Sequence, residues 1–310
     1  MHLTATHTHL LLNHVPTVGF GVGIALFVGS LLARSEDLKR ASLVVFVGIA
    51  LLTLPTYVTG GAAAQAMQHS PDVSAALMAS HEGVALLATI VMQLAGAASW
   101  LVLWQLRRVS RVTNRSIVVL LLFLVVAMGL AAKAASLGGQ IRHPEIREAV
   151  APTAPGATLA QQIATFVNNS PWAWPVAETL HFIGLTLLIG VVLLFNLRMF
   201  GVMKHVSGAA LDRFLPWALM GLALNIATGM VFFIAKPEQY TMNYAFYWKI
   251  WLVVAAGANA LYFTIFDGAC LLEPGREAPR ASKLIAASAL CLWVGVLFFG
   301  SMLPFLGDAF

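Results

Sequence analysis

Eight long runs of apolar residues occupy most of this 310-residue chain, and they constrain its fold more than any other feature. Each run is long enough to cross a bilayer as a helix, which takes about 20 residues. Charged residues make up 10% of the chain, against roughly 25% in soluble proteins. These features predict an all-α integral membrane protein. The runs cover approximately 10–33, 41–62, 80–105, 116–138, 174–197, 214–235, 245–270 and 283–306.

The distribution of basic residues predicts the orientation of these spans. Thirteen of the 18 lysines and arginines fall in or beside the loops after the first, third, fifth and seventh runs. Because cytoplasmic loops are enriched in Lys and Arg, we expect both termini outside, which is the periplasm for a bacterial inner membrane. The net charge of +5 follows from this loop bias. It indicates a lipid bilayer as partner and no nucleic acid.

One long connection interrupts the series of short loops and suggests a division of the chain. Residues 139–173 form a stretch of a length that is uncommon in compact domains and is often functional. It separates four apolar runs on each side. We therefore predict a first four-helix membrane bundle over 1–138, an extracytoplasmic loop over 139–173 and a second four-helix bundle over 174–310.

Three histidines, His14, His81 and His181, fall in the first turns of helices that start on the predicted outer side. At a rise of about 1.5 Å per residue they lie at a similar shallow depth. Imidazole binds metal ions and serves as an axial ligand of haem iron, and helical bundles hold such cofactors between facing helices. We therefore predict all three as ligands of a haem or a metal ion. The alternative for each is a hydrogen bond to a neighbouring helix.

Other residues extend this predicted outer site. His9 lies in the same apolar run as His14, in the stretch HTHLLLNHVP, and is a further candidate ligand. His143, in the long loop, either covers the site or is an ordinary loop residue. Lys249, in NYAFYWKIWL, is placed to pair with a haem propionate or another anion, or to extend its amine to the interface. Methionines on the predicted outer side leave a copper site as an alternative to haem.

The two halves show a weak internal correspondence. His14 stands 46 residues before Gly60 in YVTGG, and His181 stands 48 residues before Gly229 in NIATGM. In the first half, His81 in the third helix follows Gly60. The same number of residues counted from Gly229 in the second half ends next to Lys249. The pattern indicates either an old duplication in one orientation or a coincidence, since Thr-Gly pairs are common in membrane helices.

The opening motif resembles that of a bacterial family of small membrane proteins of unknown function. Those proteins begin with His-x4-His-x-Pro, matched here by His9, His14 and Pro16, and carry a histidine early in the third helix, matched by His81. They are regarded as binding b-type haem, so the resemblance implies such a haem over residues 7–105. The second half resembles another four-helix membrane family through LHFIGLTLLIG and NIATGMVFF. The architecture of this second family is similar to that of cytochrome b561-like and copper-resistance membrane domains.

These observations lead to one main functional expectation and two alternatives. We expect a membrane b-type haem protein that transfers electrons at the periplasmic face, with His14 and His81 as axial ligands and His181 as an additional or alternative ligand. Its partner would be a periplasmic cytochrome or oxidoreductase, or quinol. Because neither cysteine lies in a CxxCH motif, we do not expect covalent haem. The alternatives are a copper permease or metal-binding membrane protein, and a cofactor-free scaffold subunit of a larger complex.

Overall fold

The computed structural model describes residues 4–68, 73–109, 113–142, 156–266, 268 and 272–306, and no β-strand occurs among them. A 3-10 turn at Leu303–Phe305 follows the last α-helix. The α-helices are α1 (Ala5–Leu12), α2 (His14–Leu32), α3 (Glu36–Met67), α4 (Ala75–Val109), α5 (Asn114–Arg142), α6 (Leu159–Asn169), α7 (Ala173–Met199), α8 (Gly208–Asp212), α9 (Leu215–Ala235), α10 (Pro237–Thr241), α11 (Tyr244–Phe266) and α12 (Arg280–Met302).

Within the described part of the chain, eight helical segments are long and apolar enough to cross a membrane, which confirms the predicted all-α integral membrane fold. Six of them are the single helices α3, α4, α5, α7, α11 and α12. The first span, Ala5–Leu32, joins α1 to α2, and the sixth, Gly208–Ala235, joins α8 to α9. The first span begins earlier than its apolar run because the Thr4 side chain accepts a hydrogen bond from the His7 backbone N–H and caps the helix.

The chain divides into two compact units, each containing four spans. The first comprises the described residues up to Phe166 together with Ile234–Met242, and the second comprises Val167–Phe233 and the described residues from Asn243 onward. The region predicted as a loop, 139–173, contains the end of α5 and all of α6. The short segment Ile234–Met242 belongs to the first unit because α10 packs against α3.

The first unit is a closed four-helix bundle. Helix α2 packs against α3, α3 against α4 and α4 against α5, and α5 returns to contact α2. Phe20, Phe27 and Phe46 fill its core, with the Phe20 and Phe46 rings 5.1 Å apart. Gly23 leaves space for the Phe46 ring, since a Cβ at this position would lie 2.6 Å from that ring. The bundle thus uses a small residue to let a large aromatic side chain fill the interior.

The second unit brings α7 and α9 into backbone contact. A Cβ on Gly221 of α9 would lie 2.6 Å from the Gly184 carbonyl oxygen of α7 and 2.9 Å from the Leu188 backbone nitrogen. Helix α12 packs against both α7 and α11, and Trp293 lies in the buried core beside Leu188. Small residues at a helix crossing permit such close approach, which stabilises helix pairs in membranes.

Arg198, counted with the basic loop residues in the sequence, is instead fully buried at the end of α7. Its Nε donates to the Val206 carbonyl at 2.6 Å and its Nη2 donates to the Glu273 carbonyl at 2.9 Å. These bonds tie together the two connections on that side of the unit, one before α8 and one before α12. Arg198 therefore has a structural role in addition to its charge.

Candidate functional site

His9 points from α1 into the first unit and contacts α3. Its Nδ1 lies 3.1 Å from the Thr56 carbonyl oxygen and 3.5 Å from the Thr59 hydroxyl. The ring packs over Gly60, where a Cβ would lie 3.0 Å from the His9 Cε1 atom. The Thr-Gly pair of YVTGG therefore provides both a hydrogen-bonding group and the free space that this imidazole occupies.

His81 occupies a matching position between α4 and α5. Its Nδ1 lies 2.9 Å from the Ala134 carbonyl oxygen. Its ring packs over Gly138, where a Cβ would lie 3.3 Å from the His81 Cε1 atom. The first unit thus brings two histidines to one end of its bundle.

The hydrogen bonds of these two histidines determine their tautomer. A backbone carbonyl can only accept a hydrogen bond, so the Nδ1 of both His9 and His81 carries the proton. In a neutral imidazole the other nitrogen, Nε2, then holds the lone pair. Metal-ligating histidines have this arrangement, in which one ring nitrogen donates to a carbonyl or carboxylate and the other binds the metal. Both side chains are therefore prepared as Nε2 ligands.

The chemistry of this donor set fits a b-type haem, whose iron two neutral imidazoles would hold through their Nε2 atoms. The Asn13 Oδ1 atom is buried without a hydrogen-bond partner, one helical turn after His9 and on the same face. Unpaired buried polar atoms are rare in proteins and are often satisfied by a water or a bound group. This unit could hold haem through His9 and His81, where the haem would supply one-electron chemistry.

His14 lies elsewhere on the first span. It is the first residue of α2 and is exposed. It stands five positions after His9, which corresponds to a rotation of roughly 140° around a continuous helix. When His9 faces Gly60, His14 therefore points away from α3. The geometry therefore favours His9 over His14 as the partner of His81. The one sequence signal for this assignment is the Thr-Gly pair on α3, which His9 contacts.

In the second unit, His181 makes the equivalent contact with a threonine of α9. Its Nδ1 lies 2.7 Å from the Thr228 hydroxyl, whose own proton is donated to the Leu224 carbonyl at 2.7 Å. The hydroxyl must therefore accept from His181, and the lone pair again lies on Nε2. The Phe232 ring lies 5.7 Å from the imidazole, and the Trp174 ring lies 4.9 Å from Phe232. His181 is thus oriented, and an aromatic group lies beside it.

Lys249 lies on α11 in the second unit. Its side chain runs along Gly300 of α12, where a Cβ would lie 3.4 Å from the lysine Nζ. Lys249 is half-buried, and a cation in a membrane span is costly and usually has a functional partner. No anionic partner for Lys249 occurs among the residues that the structure describes.

Two further findings bear on the predicted metal and loop residues. Within the described residues no group of three or more His, Cys, Asp or Glu side chains is arranged to hold a metal ion. His143 lies outside the described residues, so its predicted role over the site stays a prediction. His181 belongs to the second unit, whereas His14 and His81 belong to the first.

Comparisons of the chain with protein-family models, with curated proteins and with solved structures find no match.

Proposed function

We propose that this protein is a membrane b-type haem protein that transfers electrons at the periplasmic face of a bacterial inner membrane. The observation that supports this proposal is the His9 and His81 pair, with both Nδ1 protons donated to carbonyls and both Nε2 lone pairs available. The resemblance of the opening motif to haem-binding membrane proteins points to the same chemistry. His9 replaces His14 as the proposed partner of His81.

The proposal also covers orientation and partners. The excess of Lys and Arg in alternate loops supports termini on the periplasmic side. The described histidines of the spans stand near the span ends that this orientation assigns to the periplasm, while His205, in the connection between α7 and α8, is exposed at an end that it assigns to the cytoplasm. A haem held only at one face suits exchange with a periplasmic cytochrome or oxidoreductase. It does not suit electron transfer across the whole membrane.

The proposal is tested by absorption and electron paramagnetic resonance spectra of the detergent-purified protein, air-oxidised and dithionite-reduced. We expect a sharp reduced α-band and a low-spin ferric signal, because two imidazoles make haem iron six-coordinate. His9→Ala and His81→Ala should each abolish the low-spin signal. His14→Ala is the matched control, since it removes the same side chain from the same span, and it should leave the spectrum unchanged.

Three outcomes would count against this assignment. Loss of the signal in His14→Ala with retention in His9→Ala would return the ligand role to His14. Stoichiometric copper without haem would favour the metal-binding alternative, although the described residues supply no group of three ligands. A folded, freshly purified protein with neither haem nor metal would favour the scaffold alternative.

A further inference from the structure

A polar pair joins α11 and α12 within the membrane-spanning part of the second unit. Asn259 of α11 donates from its Nδ2 to the Ser288 hydroxyl at 2.7 Å and to the Ile285 carbonyl at 3.3 Å. Asn259 is partly buried and Ser288 is exposed. Asn259 stands seven positions before Phe266, the last residue of α11, which places it about 10 Å from that end of the helix. The pair therefore lies at the depth of the hydrocarbon region.

One atom of this pair lacks a hydrogen bond. The Ile285 carbonyl can only accept, so it orients the amide with Nδ2 toward α12. The Asn259 Oδ1 atom then accepts no hydrogen bond from the residues that the structure describes. Unlike the unpaired Asn225 Oδ1 inside the unit, it is accessible from outside. Because a polar group without a partner is costly in hydrocarbon, this oxygen points to a donor from another protein segment.

The same face of α11 carries an unused donor. Tyr262 stands three positions after Asn259 and is 50% exposed. Its hydroxyl makes no hydrogen bond within the described part of the chain. Residues three apart share a helix face, and helical side chains lean toward the helix N-terminus. The Tyr262 side chain therefore leans toward the depth of Asn259, and one face presents both an unpaired acceptor and an unpaired donor.

The surface around these two groups consists of small residues. Ala255 and Ala258 of α11 are exposed, and so are Ser288 and Cys291 of α12. Trp293, two positions after Cys291, lies instead in the buried core of the unit. Small residues on a membrane helix permit the close approach of another helix, and polar side chains then bond across the contact. The face is suited to another helical protein surface.

We propose that this face binds a second copy of the chain. The dimer face, as we call it, comprises Ala255, Ala258, Asn259, Tyr262, Ser288 and Cys291. Each Tyr262 hydroxyl donates to the Asn259 Oδ1 of the other copy, around a twofold axis along the membrane normal. Such an axis places the same residues of both copies at equal depth, so one contact satisfies two donors and two acceptors.

A second copy fits because the dimer face is self-complementary. It carries both halves of the hydrogen bond, whereas lipid tails offer neither a donor nor an acceptor. The contact involves only α11 and α12 of the second unit and requires no haem. It therefore stands or falls separately from the proposed function.

The proposal is tested by counting photobleaching steps of the full-length protein, with one fluorophore at the amino terminus, in liposomes over a range of protein-to-lipid ratios. The wild-type protein should form dimers. Tyr262→Phe removes only the hydroxyl and should weaken dimerisation about tenfold, because two reciprocal hydrogen bonds between helices are lost. Tyr244→Phe is the matched control, since Tyr244 is an exposed tyrosine of the same helix, and it should associate as the wild type does.

A double variant tests whether the two side chains contact each other. Asn259→Ala should also weaken dimerisation, and Asn259→Ala combined with Tyr262→Phe should be no weaker than Asn259→Ala alone. Either change already breaks the bond, so a direct pair gives effects that do not add. Additive effects would contradict the pairing.

Cys291 gives a second readout that leaves both polar groups in place. In Cys270→Ser it is the one thiol of the chain, and a short bismaleimide should link two copies in native membranes. The control variant combines Cys270→Ser, Cys291→Ser and Ala223→Cys, which moves the thiol to an exposed position on α9 outside the dimer face. It should give little covalent dimer.

Three results would overturn the proposal. The first is a wild-type protein that is monomeric at every protein-to-lipid ratio. The second is dimerisation of Tyr262→Phe that is as tight as that of Tyr244→Phe. The third is crosslinking through the thiol on α9 that is as efficient as crosslinking through Cys291.

Discussion

A Cβ added to Gly221 should weaken the contact between α7 and α9, and the same change at Gly229, two turns further along α9, should not. At Gly221 the new carbon would lie 2.6 Å from the Gly184 carbonyl oxygen and 2.9 Å from the Leu188 backbone nitrogen. Both neighbours are backbone atoms and cannot rotate away, so the two helices must move apart. At Gly229 nothing lies within 4 Å of the added carbon.

The expected magnitude follows from two opposing effects. Forcing an extra carbon into a packed contact costs about 1–3 kcal/mol. Replacing glycine by alanine inside a helix stabilises that helix by up to about 1 kcal/mol, and this gain applies equally to both positions. Gly229→Ala should therefore be neutral or slightly stabilising. Gly221→Ala should be less stable than Gly229→Ala by about 1–3 kcal/mol, the whole of the packing cost.

The assay is unfolding of the purified variants in mixed micelles of dodecyl maltoside and increasing sodium dodecyl sulfate, followed by circular dichroism and tryptophan fluorescence. Gly221→Ala should unfold at a lower fraction of the denaturing detergent than the wild type, and Gly229→Ala should not. Equal unfolding midpoints for the two variants would refute the reasoning, because they share the helix, the chemical change and the gain in propensity, and differ only in the contact with α7.

Three further predictions concern polar groups. Gln93→Leu removes two hydrogen bonds from α4 to α3, and the unfolding assay should show a loss of about 0.6–1.7 kcal/mol. Arg198→Met removes two part-buried hydrogen bonds to the Val206 and Glu273 carbonyls and should cost about 1–3 kcal/mol, at a net 0.5–1.5 for each bond. The hydrogen bond from Lys204 lowers the pKa of Glu277, so this pair stabilises the protein above the ordinary carboxyl pKa and ceases to do so as the pH falls. In Lys204→Gln the acid-side decline of the melting temperature should be smaller.

The candidate site shows where prediction from sequence ends. Both His9 and His14 belong to one apolar run, and both match the His-x4-His-x-Pro pattern. Their shallow depth follows from sequence position, whereas the face each presents depends on how the span is rotated against α3. That rotation results from the contact of His9 with Thr56 and Gly60. Local sequence contains no information on such a contact between distant residues.

The internal correspondence shows the same limit. The spacing of the Thr-Gly pairs suggested a repeat that aligned His14 with His181. The contacts instead align His9 with His181, because both imidazoles contact the threonine of a Thr-Gly pair. They align His81 with Lys249, as the spacing had suggested to within one residue, because both side chains pack against a glycine of the next span. Spacing could not show that His9, five positions before His14, is the equivalent of His181. The number of residues between the contacting histidine and threonine differs between the two units, being 50 in the first and 47 in the second.

The sequence by itself determined the membrane class of the protein and the number of its spans. These properties depend on hydropathy and residue position, which are written along the chain and need no knowledge of distant contacts. Tertiary structure alone decided that His9 meets α3, that Arg198 is buried, and that Gly221 lies against a backbone. Each of these depends on helix rotation and helix approach, which result from packing between residues far apart in the chain.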